Sequence, residues 1–197
     1  MAETKRRRRS RPVTRERLER AALHYLERYA SSAANLRRVL GRRVARSAQL
    51  HGTDAAEGAA WADAIVAKFT DRGLLDDAAY AEARARSLLR QGRGPRRIAA
   101  TLRQKGVAGE LIERALAALG EAYADPELAA ACRHAQRRRL GPFGPPAGRA
   151  DRRERELASL GRAGFSYEVA RRVVEAVSAE ALEADLAVGR DLEPGGI

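Results

Sequence analysis

The sequence has a single cysteine, Cys132, and no long apolar run. One thiol excludes an intrachain disulfide, which is typical of proteins in a reducing compartment. No apolar stretch approaches the roughly 20 residues that a membrane-spanning helix needs. The start, MAETKRRRRSRPVTRER, is charged but no apolar segment follows it, so we expect no secretory signal there and a cytoplasmic location.

Strand patterns are lacking as well. Alternation of apolar and polar residues, the pattern of a half-buried strand, is absent over any useful length. Apolar residues recur instead at steps of three and four, as in the stripe of Leu18, Ala22 and Leu26. Glycines, prolines and short polar residues separate such stripes, where helices begin and end. The sequence therefore predicts an all-α fold.

Lysine is scarce, although the chain is strongly basic. Arginine and lysine together number 38 against 26 acidic residues, a net charge of +12, and Lys5, Lys68 and Lys105 are the only lysines. Such a field favours polyanionic partners, of which nucleic acid is the commonest for a soluble protein. Guanidinium groups suit phosphate contacts, although a GC-rich coding bias explains the excess of arginine over lysine equally well.

Composition and helix signals divide the chain into five parts. They are a basic arm (1–14), a first helical repeat (15–73, with a linker at about 51–58), a second repeat (74–120), a third repeat (125–178, with a Pro/Gly-rich loop at 141–149) and an acidic tail (179–197). The arm has no apolar periodicity, so we expect it to be disordered and to make weak, non-specific phosphate contacts. The tail either screens the basic surface or frays.

The second and third repeats resemble each other. The aligned pairs are Gly106–Gly164, Leu102–Leu160, Val107–Phe165 and Glu110–Glu168. Residues 35–44, NLRRVLGRRV, are a weaker third copy. One unit of three short helices buries too little apolar surface to be stable alone, so we expect the units to stack.

The stretch GRGPRRIAATLRQKGV, residues 92–107, begins like a phosphate-binding loop. A Walker A loop needs a lysine and a hydroxyl residue after its last glycine, and a dinucleotide fold needs a third glycine and a preceding strand. Neither pattern is present. We therefore expect Gly92 to end one helix, Pro95 to lie in the first turn of the next, and Gly106 to end that helix. This predicts a helix with a basic outer face.

Basic side chains on the second and third repeats are the candidate contacts to nucleic acid. In the second repeat few carboxylates balance them, which favours a phosphate-binding face over a merely solvated one. In the third repeat acidic residues interleave, and the two interpretations are balanced. The candidates are Arg86, Arg90, Arg93, Arg96, Arg97, Arg103, Lys105, Arg137, Arg138, Arg139, Arg152 and Arg153.

Candidate catalytic and metal-binding residues have simpler structural explanations. Asp76 and Asp77 are adjacent, so their side chains diverge on a helix, and aspartate at a helix start caps backbone N–H groups. Cys132 and His134 are far in sequence from the other histidines, whereas a metal site needs a fuller cluster. We therefore expect no enzyme, no metal and no cofactor.

Two aromatic residues lie at the turn of the third repeat. The rings of Phe165 and Tyr167 are of a kind on which a nucleic-acid base stacks. Aromatic residues at such turns more often fill the core, so we expect both to be buried.

Residues 73–107 resemble the central signature of the RecX family, bacterial regulators of the RecA recombinase. Residues 162–174, RAGFSYEVARRVV, are similar to the C-terminal repeat of that family, and residues 22–40 to its first. The resemblance covers about residues 15–178. The positions that carry it are Gly73, Leu74, Asp76, Asp77, Tyr80, Gly94, Pro95, Ile98, Leu102, Gly106 and Val107, with Gly164 and Phe165 in the C-terminal repeat.

The resemblance implies three tandem three-helix repeats, elongated, curved and basic, that bind in the groove of a RecA filament on single-stranded DNA. It implies restraint of filament growth, ATP hydrolysis, strand exchange and co-protease activity, and so a place in DNA repair, recombination and the SOS response. Filament-end capping stays open beside groove binding, because both need the same charge. We expect a monomer that does not contact membranes, with duplex DNA as a further candidate partner.

Three positions depart from the family pattern. Arg84 stands where relatives usually carry an aromatic residue, Thr101 where many carry glutamate, and Ala34 where an acidic residue is common. The absence of these acidic residues makes the surface more basic, and the absence of the aromatic residue affects a helix packing face.

A second hypothesis belongs to another functional class. Helical repeats joined by short glycine turns imitate a helix-turn-helix motif, so the chain is also compatible with a stand-alone nucleic-acid-binding regulator. Such a regulator would prefer particular duplex sequences and ignore RecA. A third hypothesis, a nuclease or other enzyme, has no acidic metal cluster to support it.

Overall fold

The computed structural model describes residues 11–122 and 124–191, with the backbone alone for 187–191. Its helices are α1 (Arg15–Leu26), α2 (Ala33–His51), α3 (Ala55–Asp71), α4 (Asp77–Arg90), α5 (Pro95–Gln104), α6 (Gly109–Ala122), α7 (Pro126–Arg138), α8 (Arg149–Arg162), α9 (Tyr167–Glu175) and α10 (Ala179–Asp191), with a 3-10 helix at Gly141–Phe143. These described residues contain no strand, and the all-α fold class is confirmed. None of their helices is both long and apolar enough to cross a membrane.

Most of the predicted basic arm, residues 1–10, lies outside the described residues. Its last residues, for which the sequence predicts disorder, are instead tied to two helices. The amide of Val13 donates to the hydroxyl of Ser47 on α2 (2.9 Å). The hydroxyl of Thr14 accepts the amide of Arg17 (3.4 Å) and so caps α1.

The described residues up to Asp77 form one compact unit. Its three helices, α1 to α3, pack around a small apolar core. The largest fully buried side chains in this core are Leu18, Leu36, Leu40, Ile65 and Phe69. The ion pairs of this unit include Arg37 with Asp63 (2.7 Å) and Lys68 with Glu19.

Local capping corrects the linker predicted at about 51–58. Helix α2 continues to His51 and α3 begins at Ala55, so only residues 52–54 connect them. Gly52 adopts a left-handed conformation (φ 67°), which ends α2. The Asp54 carboxylate accepts two amides of the first turn of α3, at 2.7 and 3.0 Å, which starts the helix earlier than the apolar pattern indicates.

Asp77 is the first residue of α4, but its side chain caps the start of α2. Its carboxylate accepts the amide of Ala33, the first residue of α2, at 2.8 Å. The hydroxyl of Ser32 accepts a second amide of the same turn, from Asn35. The first amides of a helix have no partner inside it, so both acceptors stabilise the start of α2. The sequence predicts that this aspartate caps backbone N–H groups, but it does not predict that the capped residue lies 44 residues away.

Helix α3 ends at a glycine, as predicted, and the two leucines that follow differ in burial. Gly73 has φ 70° and follows the last turn, as expected for a left-handed terminating residue. Leu74, a position of the family signature, is 52% exposed, whereas Leu75 is buried in the core of the first unit.

The described residues from Ala78 onward form a second compact unit. The segments predicted as the second and third repeats share one apolar core there, so the division into three repeats stays a prediction. Its largest fully buried side chains are Leu89, Ile98, Leu102, Ile112, Leu128, Leu160 and Phe165. Tyr80 of the family signature packs against this core and is partly buried.

The predicted alignment of two helical turns has a structural counterpart. The turns α5–α6 and α8–α9 both pass through a glycine with positive φ, 80° at Gly106 and 95° at Gly164. In each, the next amide donates to a carbonyl five residues earlier, Val107 to Leu102 (3.1 Å) and Phe165 to Leu160 (3.3 Å). This bond satisfies carbonyls that the helix end leaves without a partner.

Much of the predicted acidic tail is helical. Helix α10 covers Ala179–Asp191, while residues 192–197 lie outside the described residues. Leu182 is fully buried in the core of the second unit, and Leu186 packs against that core. These two leucines are four residues apart and therefore lie on one face of the helix. Arg172 of α9 donates to Asp185 (2.9 Å) at the surface.

Candidate nucleic-acid interface

The loop between α4 and α5 packs against the turn between α8 and α9. The amide of Gly94 donates to the carbonyl of Ala163 (3.0 Å), and the amide of Arg96 donates to the carbonyl of Gly164 (3.2 Å). Gly92 has φ 68° and ends α4, while Pro95 begins α5, both as predicted. These bonds fix the start of α5 and the arginines beside it.

Helix α5 has the predicted basic outer face. Ile98, Ala99 and Leu102 point into the core, while Arg96, Arg97 and Arg103 are exposed. The predicted residues of α4 and of the α4–α5 loop, Arg86, Arg90 and Arg93, are also exposed, and Lys105 is half-buried. Of these residues, Arg86 lies near a carboxylate of its own helix, Glu82, at 3.5 Å.

A first cavity, which we call the junction cavity, lies where the α4–α5 loop meets α7. It has a volume of about 280 Å³ and is lined by Gln91, Arg93, His134, Arg137 and Arg138. The guanidinium of Arg137 donates to the backbone carbonyl of Gln91 and so holds the loop to α7. None of the described residues that line this cavity is acidic.

A second cavity of about 370 Å³ lies between α7 and α8. Its lining includes the basic residues Arg138, Arg139, Arg152, Arg155 and Arg162. Arg138 lines both cavities, so they adjoin. We call the arginines that line them, other than Arg152, the basic strip: Arg93, Arg137, Arg138, Arg139, Arg155 and Arg162.

Two members of the basic strip, Arg155 and Arg162, are not among the predicted contacts. They are seven residues apart on α8, which places them on one helix face. That spacing is visible in the sequence, but the acidic residues of α8 obscure it. One of these, Glu156, is buried and accepts the amide of Gly141 at 2.7 Å.

Two predicted contacts, Arg152 and Arg153, are engaged inside the second unit. Arg152 pairs with buried Glu156 (3.1 Å) and donates to the carbonyls of Ala147 and Pro145, which holds the loop before α8. Arg153 donates to Glu175 (2.9 Å) and joins α8 to α9. Both side chains therefore have partners within the unit, and their contact to nucleic acid stays a prediction.

A third basic surface lies on the first unit and is not among the predicted contacts. A groove of about 540 Å³, the first-unit groove, runs beside α2. Its lining consists of Arg11, Val13, Val39, Arg42, Arg43, Arg46, Ser47, Leu50 and His51. The arginines at 42 and 46 are four residues apart, with Arg43 beside them, so all three lie toward one helix face. This spacing is visible in the sequence, but charge alone does not distinguish it from a solvated helix face.

The two aromatic residues of the α8–α9 turn have different environments. Phe165 is in the core, as predicted, and meets the ring of His134 edge-on at 5.9 Å between centroids. Tyr167 is 64% exposed, so its predicted burial is wrong. It is the first residue of α9 and follows the cap Ser166.

Burial changes the acidity of two groups on α7. It raises the pKa of the Cys132 thiol to about 11, and nearby Asp125 and Asp185 act in the same direction. Burial also lowers the pKa of His134, followed by the charge of Arg138. Among the described residues no group of three or more His, Cys, Asp or Glu side chains has the geometry to hold a metal ion.

The three residues that depart from the family pattern are partly exposed and lie on helices α2, α4 and α5. Arg84, which replaces an aromatic residue, is half-buried on α4. The hydroxyl of Thr101, in place of glutamate, donates to the carbonyl of Arg97 one turn earlier (2.8 Å). Ala34 is half-buried in the first turn of α2.

Comparison with known proteins gives consistent results. A family model described as the second three-helix domain of RecX matches residues 76–116. The chain is 45% identical over 168 residues to the regulatory protein RecX of Myxococcus xanthus, an alignment that covers 85% of this chain and 89% of the relative. It is 38% identical over 107 residues to the regulatory protein RecX of Agrobacterium fabrum, covering 54% and 55% of the two chains.

Two solved structures have a similar fold. A crystal structure of a regulatory protein RecX superposes with a TM-score of 0.56 at 22% identity, over 82% of this chain and 71% of the other. The crystal structure of RecX from Lactobacillus salivarius gives a TM-score of 0.55 at 20% identity, over 88% and 97%. At such identities the likeness concerns the fold alone.

Proposed function

The chain belongs to the RecX family, and from that membership we propose that it is a non-catalytic regulator of the RecA filament on single-stranded DNA. In this proposal it binds the filament and mainly inhibits ATP hydrolysis, strand exchange and co-protease activity. The relatives carry the name of regulatory proteins, which fits a protein that acts by binding. A monomeric state and a cytoplasmic location are part of the same proposal.

The basic strip is the observation that carries the proposal. Seven arginines line two adjoining cavities of the second unit, the six of the basic strip and Arg152. The acidic residue in their lining, Glu156, is buried and already bonded to Gly141 and Arg152. Guanidinium groups bind phosphate oxygens in a bidentate way and keep their charge at every physiological pH. A row of such groups suits a strand that presents one phosphate after another.

The outer face of α5 extends this contact set. Arg96 and Arg97 lie in the first turn, which the Gly94 and Gly164 backbone bonds hold in place, and Arg103 follows two turns later. Arginine loses side-chain entropy when it binds, and a fixed helix limits that loss to the side chain itself. These exposed residues are therefore suitable for phosphates of the DNA or for acidic side chains of RecA.

The first-unit groove offers a separate basic surface. Its arginines adjoin two apolar side chains, Val39 and Leu50. A mixed surface of this kind suits either a nucleotide, with phosphates on the arginines and a base on the apolar wall, or an acidic protein segment. We include the first-unit groove in the proposal as a second polyanion contact.

The test is binding of variants to preformed filaments of RecA on single-stranded DNA. We expect the triple variant Arg96→Ala, Arg97→Ala, Arg103→Ala to bind at least about tenfold more weakly, which corresponds to about 1.4 kcal/mol. A matched control, Arg15→Ala, Arg20→Ala, Arg28→Ala, removes the same charge from exposed positions in and just after α1. Circular dichroism should show unchanged helix content in both variants.

Two results would contradict the proposal. Loss of helical structure in the α5 triple variant would mean that these arginines serve the fold. Binding to particular duplex sequences that is indifferent to RecA would favour the stand-alone helix-turn-helix regulator instead.

A further inference from the structure

The junction cavity differs from an ordinary charged surface because its walls are held in place. His134, Arg137 and Arg138 lie on one face of α7, at steps of three and four residues. Gly92 has φ 68°, and a Cβ at that position would lie 2.7 Å from Nη2 of Arg137. The loop backbone therefore runs directly under the guanidinium, which donates to the carbonyl of Gln91.

The cavity has the size and charge for one phosphate group. Its volume of about 280 Å³ leaves room for a phosphate group. Three guanidinium groups line it, and the bond to Gln91 uses one of the five N–H donors of Arg137. Charge-assisted bonds from such donors to phosphate oxygens are the strongest that a side chain makes.

His134 gives the cavity a second property. Its side chain is buried, with 6% of the residue exposed, and its Nε2 has no hydrogen-bond partner in the part of the chain that the structure describes. Buried polar atoms without a partner are rare, and an absent ligand is one of the usual reasons. The ring is held edge-on by Phe165, so it stays at the cavity wall.

The charged groups around His134 all have one sign. Arg137 and Arg138 face it from its own helix, and Arg93 faces it from the α4–α5 loop, while the α8–α9 turn contributes the apolar Phe165. Burial lowers the pKa of His134 most, the three arginines lower it further, and a hydrogen bond with the Gly92 backbone opposes them. Above the ordinary pKa of 6.5 the imidazole is therefore neutral in the unliganded protein.

We propose that Arg93, Arg137 and Arg138 bind one phosphate group in the junction cavity, and that His134 takes up a proton from solvent as the phosphate binds. The anion cancels the repulsion that disfavours an imidazolium ion at this place. Proton binding and phosphate binding then favour each other by the same factor, because the coupling is reciprocal. Affinity for phosphate rises as the pH falls below the pKa of His134 in the bound state, and it levels off below the pKa in the free state.

The proposal rests on the proposed function in one respect: the backbone of a DNA strand is the expected source of the phosphate. Inorganic phosphate offers the same chemistry without a strand. The two sources are separated by testing a short oligonucleotide and inorganic phosphate side by side.

The most direct measurement is a pH titration of the imidazole groups by nuclear magnetic resonance on the full chain. The sequence has three histidines, His24, His51 and His134, and single His→Gln variants assign their signals. We expect the pKa of His134 to rise by at least about half a unit when oligonucleotide is added, a factor of about three in the coupling. His24, which lies beside Glu27 at the surface, should not respond, whereas His51 lines the first-unit groove and is no control.

Affinity provides a second readout. We expect the wild-type chain to bind a fluorescent oligonucleotide more tightly at pH 6 than at pH 8, by a factor no larger than the coupling that the titration gives. The variant His134→Gln should lose most of this difference, and His24→Gln should keep it. If His134→Gln does not fold, the titration of the wild-type chain still decides the question.

The outcomes separate the site from the proposed function. A pKa of His134 that rises with both ligands supports a general phosphate site, and a rise with the oligonucleotide alone supports a site for backbone phosphodiesters. An unchanged pKa while the oligonucleotide binds overturns the proposal and leaves the proposed function standing. A rise with inorganic phosphate in a protein that binds neither oligonucleotide nor filament supports the site and removes the proposed function.

Discussion

Gly94 and Gly164 approach each other so closely that neither position has room for a side chain. A Cβ on Gly94 would lie 2.3 Å from the carbonyl carbon and oxygen of Gly164, and a Cβ on Gly164 would lie 2.4 Å from the amide nitrogen of Arg97. The obstacles are backbone atoms, which cannot move aside as a flexible side chain does. This close approach fixes the start of α5 and with it the arginines of the proposed interface.

The variant Gly94→Ala should therefore unfold more easily. We expect it to lose about 2 kcal/mol or more of unfolding free energy, because overpacking of this kind forces the backbone apart. Gly161→Ala is the matched control, since a Cβ there meets nothing within 4 Å inside α8. That control should gain about 0.5–1 kcal/mol, the usual difference between alanine and glycine in a helix. Urea unfolding measures both, and equal stabilities would contradict this explanation of the close approach.

The buried carboxylate of Glu156 should contribute more to stability than its exposed neighbour on α8. Glu156 accepts the amide of Gly141 (2.7 Å) and pairs with Arg152 (3.1 Å). Glu156→Gln should cost about 2 kcal/mol, since both bonds involve the charged group. Glu154→Gln changes a side chain that is 84% exposed and should cost less than about 0.5 kcal/mol. Thermal unfolding of the two variants side by side is the test; indistinguishable midpoints would refute it.

The thiol of Cys132 should react slowly. Burial raises its pKa to about 11 from an ordinary value of 9.0, so very little thiolate is present at pH 8. As the only cysteine, it can be followed by alkylation of the whole chain. We expect a rate at pH 8 far below that of the same chain in urea. Equal rates in the folded and unfolded chain would show that the thiol is not shielded.

The raised pKa of this thiol also predicts how the unfolding free energy changes with pH. The folded chain holds the proton of Cys132 more tightly than the unfolded chain does, because burial raises the pKa of the thiol. Its contribution to stability is therefore complete below pH 9 and is lost as the pH rises toward about 11. The variant Cys132→Ala should show a smaller fall in unfolding free energy over this range than the wild-type chain. An identical fall in both would assign the effect to other groups.

The first-unit groove should contribute to the salt dependence of binding. Every phosphate of a single strand that a protein neutralises adds about 0.7 to the slope of log K against log salt. We expect the variant Arg42→Ala, Arg43→Ala, Arg46→Ala to reduce the slope by about 1–2 for a single-stranded oligonucleotide. Arg37→Ala, which removes a guanidinium paired with Asp63 at 2.7 Å, should leave the slope nearly unchanged. A triple variant with the wild-type slope would exclude the groove from DNA binding.

Features that depend on neighbouring residues could be predicted from the sequence. Apolar periodicity and capping residues give the helices, and the equivalence of Gly106 and Gly164 is visible because both turns need a left-handed residue before an apolar one. The basic outer face of α5 follows from the same periodicity.

Features that depend on long-range packing could not be predicted. No local pattern shows that Asp77 caps α2, that Arg153 pairs with Glu175, or that His134 lies beside three arginines. The helix in the acidic tail could not be predicted, because two leucines in a charged segment are a weak helix signal. The structure shows that Leu182 packs into the core of the second unit. The first-unit groove is hidden because Arg11 and α2 come together only in the folded chain.

ATP hydrolysis by RecA on single-stranded DNA, titrated with this protein at two salt concentrations, tests the central claim most directly. A filament regulator should inhibit at protein-to-RecA ratios well below one, because a protein bound to the filament affects many subunits. Its inhibition should also persist at the higher salt, where simple phosphate binding weakens. If hydrolysis falls only when the protein coats the DNA, and only at low salt, then the protein competes for phosphate alone and the filament regulator is contradicted.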